Sequence, residues 1–303
     1  MRKKNALLLF VAAFIWGTAF VAQSAGMDYM EPFTFNGTRS FIGGLVLFVY
    51  IFAREKGKAS SDVREKAQGE MKGSRKELIL GGTLCGILLF AASSLQQIGI
   101  QYTTAGKAGF ITACYIVIVP VLGVFLGKKT GWKIWTAVAF ALAGLYLLCM
   151  TESFTVGTGD FLIFMCALIF SLHILVIDYF APKVDGVKLS CIQFFVCGIL
   201  SVLPAFVWET PNLSDVLAGW IPLLYAGVFS CGVAYTLQII GQKNVNPAIA
   251  SLILSMESCF SVLAGWAVLG EKLSCREGAG CILMFAAILL AQLPCKSNAV
   301  NAR

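Results

Sequence analysis

Runs of roughly 18 or more apolar residues recur along this whole chain, and each is long enough to cross the hydrocarbon core of a bilayer as a helix. Ten such spans are expected at about 5–25, 32–53, 77–101, 104–126, 131–150, 159–181, 187–208, 215–241, 246–269 and 276–294. In hydrocarbon, backbone polar groups must be bonded within a segment or around a closed barrel, and no alternating ten-residue pattern suggests a barrel. The fold class that follows is an all-α membrane protein with ten transmembrane helices. Only 13% of the residues are charged, about half the roughly 25% of a soluble domain.

The charges set an orientation. With a cytoplasmic N-terminus, the inner segments collect Arg2, Lys3, Lys4, the eight basic residues from Arg54 to Lys76, Lys128, Lys129, Lys133, Lys183, Lys188, Lys243, Lys296 and Arg303. The outer side keeps Lys107, Lys272 and Arg276, with the acids Asp28, Glu31, Glu152, Asp160, Glu209 and Asp215. By the positive-inside rule both termini are cytoplasmic, in the inner (cytoplasmic) membrane. The long polar loop 53–77 is then a cytoplasmic connector. Because the basic residues sit in loops and not on one face, no nucleic-acid partner is expected. The N-terminus imitates a signal peptide, but its apolar run is long and contains Trp16-Gly17, so it reads as an uncleaved first helix. Eleven cysteines fall mostly inside spans, without CxxC pairs or a histidine at ligand spacing, and read as packing residues. No metal and no cofactor are expected.

The chain also repeats itself. A shift of 154 lays the first span on the sixth and the second on the seventh, so that Trp16–Phe20 meets Phe170–Ile174, Arg39 meets Gln193 and Gly44 meets Gly198. Beyond the long loop the best shift is about 141, where Ser94, Gln97 and Gln101 meet Tyr235, Gln238 and Gln242. Five helices per copy is an odd number, so the copies, residues 1–150 and 151–303, are expected to be inverted relative to one another, as in secondary transporters whose site lies near the midplane between the halves.

FIWGTAF (Phe14 to Phe20), FNGTRSFIGG (Phe35 to Gly44), QYTTAGKAGFITACYIVIVP (Gln101 to Pro120) and NPAIASLILSMESCFSVLAGWAVLGEKLS (Asn246 to Ser274) make the chain resemble the EamA-type transporters of the drug/metabolite transporter superfamily. The resemblance implies ten helices, two EamA repeats and both termini inside. Two departures stand out. Many members have Glu-Pro in the ninth helix where Glu257 is followed by Ser258, and Gly127-Lys128-Lys129 answers Gly270-Glu271-Lys272. Substrate does not carry over.

Polar side chains inside spans cost free energy against lipid and usually face a cavity or a partner helix. Ser94, Gln97 and Gln101 share one helical face, as do Tyr235, Gln238 and Gln242. These stripes suit either an aqueous path or interhelical hydrogen bonding. Arg39, with Asn36 one turn away, suits holding a carboxylate or a structural ion pair. His173, the only histidine, and Glu257, flanked on its face by Ala250, Leu254, Ser261 and Ala264, are the proton-coupling candidates. A neutral hydrogen-bonded His173 and a permanently paired or protonated Glu257 are the alternatives. Trp16, Tyr102, Tyr115 and Tyr235 can stack on a solute or serve packing, and Lys107 can attract anions or mark the interface. The expected cavity set is therefore Trp16, Arg39, Gln97, Gln101, Tyr115, His173, Tyr235, Gln238 and Glu257, with no catalytic residues.

No GxSxG, HExxH or Walker loop occurs, so hydrolytic and ATP-driven functions lack their parts. The reading is a secondary transporter that moves a small organic solute by alternating access, with export as the expected direction and proton coupling through Glu257. A passive facilitator needs the same bundle without a protonation cycle. A membrane-embedded enzyme or sensor would need a reactive cluster or soluble domain. The partners are the solute and the lipid bilayer, and a homodimer stays open.

Overall fold

Helix α1, Lys3–Gly26, turns the expected first span into one uninterrupted helix whose small residues Ala12, Ala13, Gly17 and Ala19 are buried. The computed structural model describes residues 3–59, 74–103, 105–128, 130–149, 157–269 and 274–292. Residues 60–73 of the expected connector, the turn at 270–273, Lys129, Glu152, Lys296, Arg303 and the side chain of Lys107 lie outside them. All regular structure among the described residues is helical.

Next come α2 (Pro32–Ala59), opened by a proline whose missing N–H costs nothing in a first turn, and α3 (Arg75–Ile100). Ser74 and Glu77 close a capping box on α3: the Lys76 N–H donates to Ser74 Oγ and the Ser74 N–H to Glu77 Oε2, both at 3.0 Å. The fourth span is two helices, α4 (Ala105–Ala113) and α5 (Tyr115–Phe125), and α6 (Trp132–Cys149) follows. The second half holds α7 (Thr158–Phe180), α8 (Gly186–Trp208), the short α9 (Leu213–Ala218), α10 (Trp220–Leu224), a π-helical stretch at Tyr225–Ala234, α11 (Tyr235–Gln242), α12 (Pro247–Leu254), α13 (Met256–Leu269) and α14 (Cys275–Gln292).

Three features depart from the expected spans. The segment expected at 215–241 starts only at Trp220, because Asn212 caps the separate helix α9, none of whose residues is buried. The fourth and ninth spans are each broken, at Cys114 and Ser255. Finally, among the described residues eight helices are long and apolar enough to cross a membrane, where ten spans are expected. The other two expected spans are the apolar helix α6 and α14, which carries Arg276 and Glu277 in its first turn.

Helix α2 lies along α8, α3 along both α7 and α8, α1 along α13, α11 and the π-helical stretch, and α6 along α14. Small residues permit the tight crossings. A Cβ on Gly144 would sit 2.9 Å from the Gly280 carbonyl oxygen, and one on Gly280 would sit 2.7 Å from that of Gly144. The α2–α8 pair is tied at both ends. Glu209 accepts the N–H groups of Phe33 and Thr34 and the Thr34 hydroxyl, each at 2.7 Å. At the other end Arg54 pairs with Asp185 at 3.1 Å and Lys188 with Glu55 at 2.7 Å.

Candidate functional site

Where α1 crosses α13 there is no room for a side chain: a Cβ on Gly17 would sit 2.5 Å from Phe260 Cβ and 2.6 Å from the Glu257 carbonyl oxygen. That contact fixes the first turn of α13, and with it Glu257, against α1. The break at Ser255 does the rest, since α12 ends there and α13 begins one residue later. Asn246 caps α12 by accepting the Ala248 N–H at 2.9 Å, with Pro247 in its first turn.

Glu257 faces a cavity that encloses about 560 Å³ of space, its open mouth included. Both halves of the chain line it. Helix α1 contributes Trp16, Phe20 and Gln23, α2 contributes Arg39, α3 Gln96, α4 Thr112 and α5 Tyr115. From the second half come Phe170, His173, Ile174, Ser230, Tyr235, Gln238, Leu254 and Glu257. Three interruptions of regular helix adjoin this lining: Cys114 precedes Tyr115, Ser255 lies between Leu254 and Glu257, and the π-helical stretch ends at Ala234, just before Tyr235. Single-turn π geometry and broken helices are tolerated at membrane depth where they border protein or a cavity.

The charges in the wall are held by neutral groups. Glu257 is 7% exposed and accepts the Tyr115 hydroxyl at 3.1 Å on Oε1. It has no ion-pair partner among the described residues. Arg39 is 6% exposed; its Nε and Nη2 donate to Asn36 Oδ1 at 3.2 and 3.0 Å, and Nη1 donates to Gln23 Oε1 at 2.9 Å. The guanidinium also stacks over Phe35, 5.4 Å from the ring centroid. His173 Nε2 lies 3.2 Å from Gln193 Oε1, while Nδ1 has no protein partner. Trp16 Nε1 and Gln238 Oε1 are likewise buried without a partner, and each such group costs about 1–3 kcal/mol unless something else satisfies it. The Tyr235 ring packs against Trp16 at 4.6 Å, Phe194 at 5.4 Å and His173 at 6.1 Å between centroids, which fixes its place in the wall.

Trp16, Arg39, Tyr115, His173, Tyr235, Gln238 and Glu257 thus meet around one space. Gln97 and Gln101 do not join them. Gln97 is fully buried with its Nε2 donating to the Gln23 carbonyl at 3.3 Å, and Gln101 is exposed at the end of α3. Tyr102, beyond that end, is 66% exposed. Gln23, Gln96, Thr112 and Ser230 were missed. Gln23 was findable, because Trp16, Phe20 and Gln23 follow i, i+4, i+7 spacing on α1. Among the described residues no cluster of histidine, cysteine or carboxylate groups could hold a metal ion.

The sequence matches the EamA-like transporter family over residues 3–150 and again over 157–293. A transporter of Archaeoglobus fulgidus is 30% identical over 286 residues, 94% of this chain and 84% of the relative. The inner membrane transporter YedA of Escherichia coli is 22% identical, with 96% and 92% covered. An S-adenosylmethionine/S-adenosylhomocysteine transporter of Chlamydia muridarum is 24% identical, with 88% and 84% covered. A solved crystal structure shares the fold with a TM-score of 0.78 at 19% identity, covering 96% of this chain and 97% of its own.

Proposed function

This chain belongs to the EamA-like transporter family, and from that premise we propose that it is a secondary transporter that exports a small organic solute by alternating access between two inverted five-helix repeats, residues 1–150 and 151–303. The observation that carries this reading is the cavity lined from both halves, with a buried carboxyl and guanidinium in its wall and helix interruptions beside it. The Chlamydia relative, named for two small organic metabolites, supports a solute of that kind.

What supports the repeats is the pairing of elements. Let α7 stand for α1, α8 for α2, Trp220–Gln242 for α3, α12 and α13 for α4 and α5, and α14 for α6. The packing of α3 on α7 and α8 then becomes that of Trp220–Gln242 on α1 and α2, and the packing of α4 and α5 on α7 becomes that of α12 and α13 on α1. The α2–α8 and α6–α14 pairs map onto themselves, and the α5–α12 pair maps onto α4–α13. All of these are contacts of the fold. Individual residues follow suit: Gly44 packs on Phe195 as Gly198 packs on Phe41, and Gly86 abuts the Gln193 carbonyl as Gly227 abuts that of Arg39. The breaks at Cys114 and Ser255 obey the shift of 141.

Ten crossings with both termini cytoplasmic follow from the basic connectors. Glu257 is the proton carrier in this reading, with His173 as a second titratable group in the same wall. A passive facilitator would use the same cavity but show no pH dependence traceable to Glu257.

The solute can be found by screening pooled metabolites for thermal stabilisation of the purified protein, because a ligand that binds only the native state raises its apparent stability. In proteoliposomes, Tyr235→Leu and Gln238→Ala are expected to cut transport of that solute about tenfold or more while the protein stays folded. Full transport by both variants would remove the cavity from the path. Cys275 is exposed and should react with an impermeant thiol reagent on intact cells. Reaction only after permeabilisation would reverse the orientation.

A further inference from the structure

Four ion pairs join the two halves at the end of the bundle where the chain begins and where the Asn5 amide donates to the Lys243 carbonyl at 2.8 Å. Three of them, Arg54–Asp185, Lys188–Glu55 and Lys183–Glu77, tie the ends of α2 and α3 to the chain between Lys183 and Lys188. The fourth, from Lys128 Nζ to Asp178 Oδ2, ties the end of α5 to α7 and differs in its place. Phe170 and Ile174 line the cavity, and Asp178 continues their four-residue spacing. It therefore shares their face of α7, one turn beyond the wall. Lys128 follows Gly127, whose φ of 75° ends α5, and the Lys128 N–H donates to the Gly123 carbonyl at 2.9 Å.

The cavity lies toward the opposite end, since Gln23 and Gln96 in its wall are each about one turn from where α1 and α3 stop, at Gly26 and Ile100. Between it and the paired end, Leu9 and Ala12 of α1, Ile116 and Val119 of α5, and Leu252 and Ile253 of α12 form part of one buried apolar cluster. Resting on the reading of the cavity as the transport site and of this end as cytoplasmic, we propose that Lys128 and Asp178 are a latch on the inner side. Paired, they hold α5 against α7 and keep the apolar plug shut; they part when the cavity opens to the cytoplasm. Helix α5 is suited to move, because it is separated from α4 at Cys114. It opens with Tyr115, whose hydroxyl donates to Glu257, so one short helix carries a bond of the cavity at one end and the latch at the other. The repeat does not copy the pair. The shift of 154 lays Asp178 on Ser24, and Glu271 stands where the first copy has Lys128, so the lock is built at one end only.

The test is hydrogen–deuterium exchange, read peptide by peptide on the full-length protein in nanodiscs without solute. Lys128→Gln and Asp178→Asn are each expected to speed exchange across 115–125 and 247–254 about threefold, the scale of an ion pair at the edge of water. The charge-reversed pair, Lys128→Asp with Asp178→Lys, should return both segments to the wild-type rate. Arg54→Gln, which breaks a pair away from this face of α7, should leave them as they are. Wild-type exchange in both single variants overturns the proposal, as does a charge-reversed pair that exchanges as fast as the single variants. An equal rise with Arg54→Gln overturns it too, because the four pairs would then be interchangeable staples. Exchange needs neither solute nor a known orientation, so the latch fails on these outcomes alone. The transport site fails separately, by full transport in Tyr235→Leu and Gln238→Ala, and the labelling of Cys275 decides which side the latch faces.

Discussion

The two broken helices differ in what they place next to the break. Helices α4 and α5 separate at Cys114, and α5 opens with Tyr115; α12 and α13 separate at Ser255, and α13 opens with Met256 and Glu257. Each break is stitched by a side chain that bonds back along its own helix, Cys114 Sγ to the Phe110 carbonyl at 3.5 Å and Ser255 Oγ to that of Leu252 at 2.8 Å. The backbone device is shared, and the chemistry is not. One helix supplies a phenol and the other a carboxyl, and the 3.1 Å hydrogen bond between Tyr115 and Glu257 joins them. Their neighbours differ as well. Gly17 lets α1 touch the backbone of α13, whereas Gly109 in α4 has only Ser258 Oγ, 4.0 Å away, within reach of an added Cβ. The acidic helix is clamped and the phenolic one has slack.

Gly17→Ala should give the largest effect. Its methyl group would lie under 3.0 Å from backbone atoms of α13, and overpacking of that kind costs about 1–3 kcal/mol. We expect a lower thermal midpoint together with loss of transport, because Glu257 moves with its helix. Tyr115→Phe comes next. It removes the hydroxyl from Glu257, and a hydrogen bond to a charged group contributes about 1.5–3 kcal/mol. Transport should fall several-fold with the protein still folded; an unchanged rate would mean that the two broken helices do not act together. Ser255→Ala and Cys114→Ala should each cost less than about 1 kcal/mol in chemical denaturation, since both lose only a local bond to the preceding turn. A much larger cost for either would show that its break depends on that side chain. Gly109→Ala is expected to be neutral or to stabilise by up to about 1 kcal/mol, because the site has space and alanine favours the helix. Equal damage from Gly109→Ala and Gly17→Ala would abolish the contrast between clamped and slack.

Much of this arrangement was legible in the sequence, for reasons that differ from residue to residue. Span positions follow from hydrophobicity, which the bilayer enforces along the entire chain. Glu257, Arg39 and His173 stood out because an ionisable group in an apolar run is costly. The breaks were hidden: neither Cys114 nor Ser255 is a glycine or proline, and Pro120 lies six residues beyond the first break without marking it. Register along α3 was hidden too. The shift of 141 matched Gln97 with Gln238, yet on α3 it is Gln96, not Gln97, that joins Gln238 in the wall. A fixed shift assumes the same helical pitch in both halves, and the π-helical stretch at Tyr225–Ala234 breaks that assumption just before Gln238. Gln101 was placed in the cavity on spacing alone, although α3 stops at Ile100 and leaves it outside.

The proposal that the acidic broken helix couples solute to protons is tested most directly by transport in proteoliposomes as a function of pH, wild type against Glu257→Gln. The wild type should change rate with pH, and the variant, folded and still able to bind solute, should be slow and flat across the same range. A Glu257→Gln protein with the wild-type rate and the wild-type pH profile would contradict it.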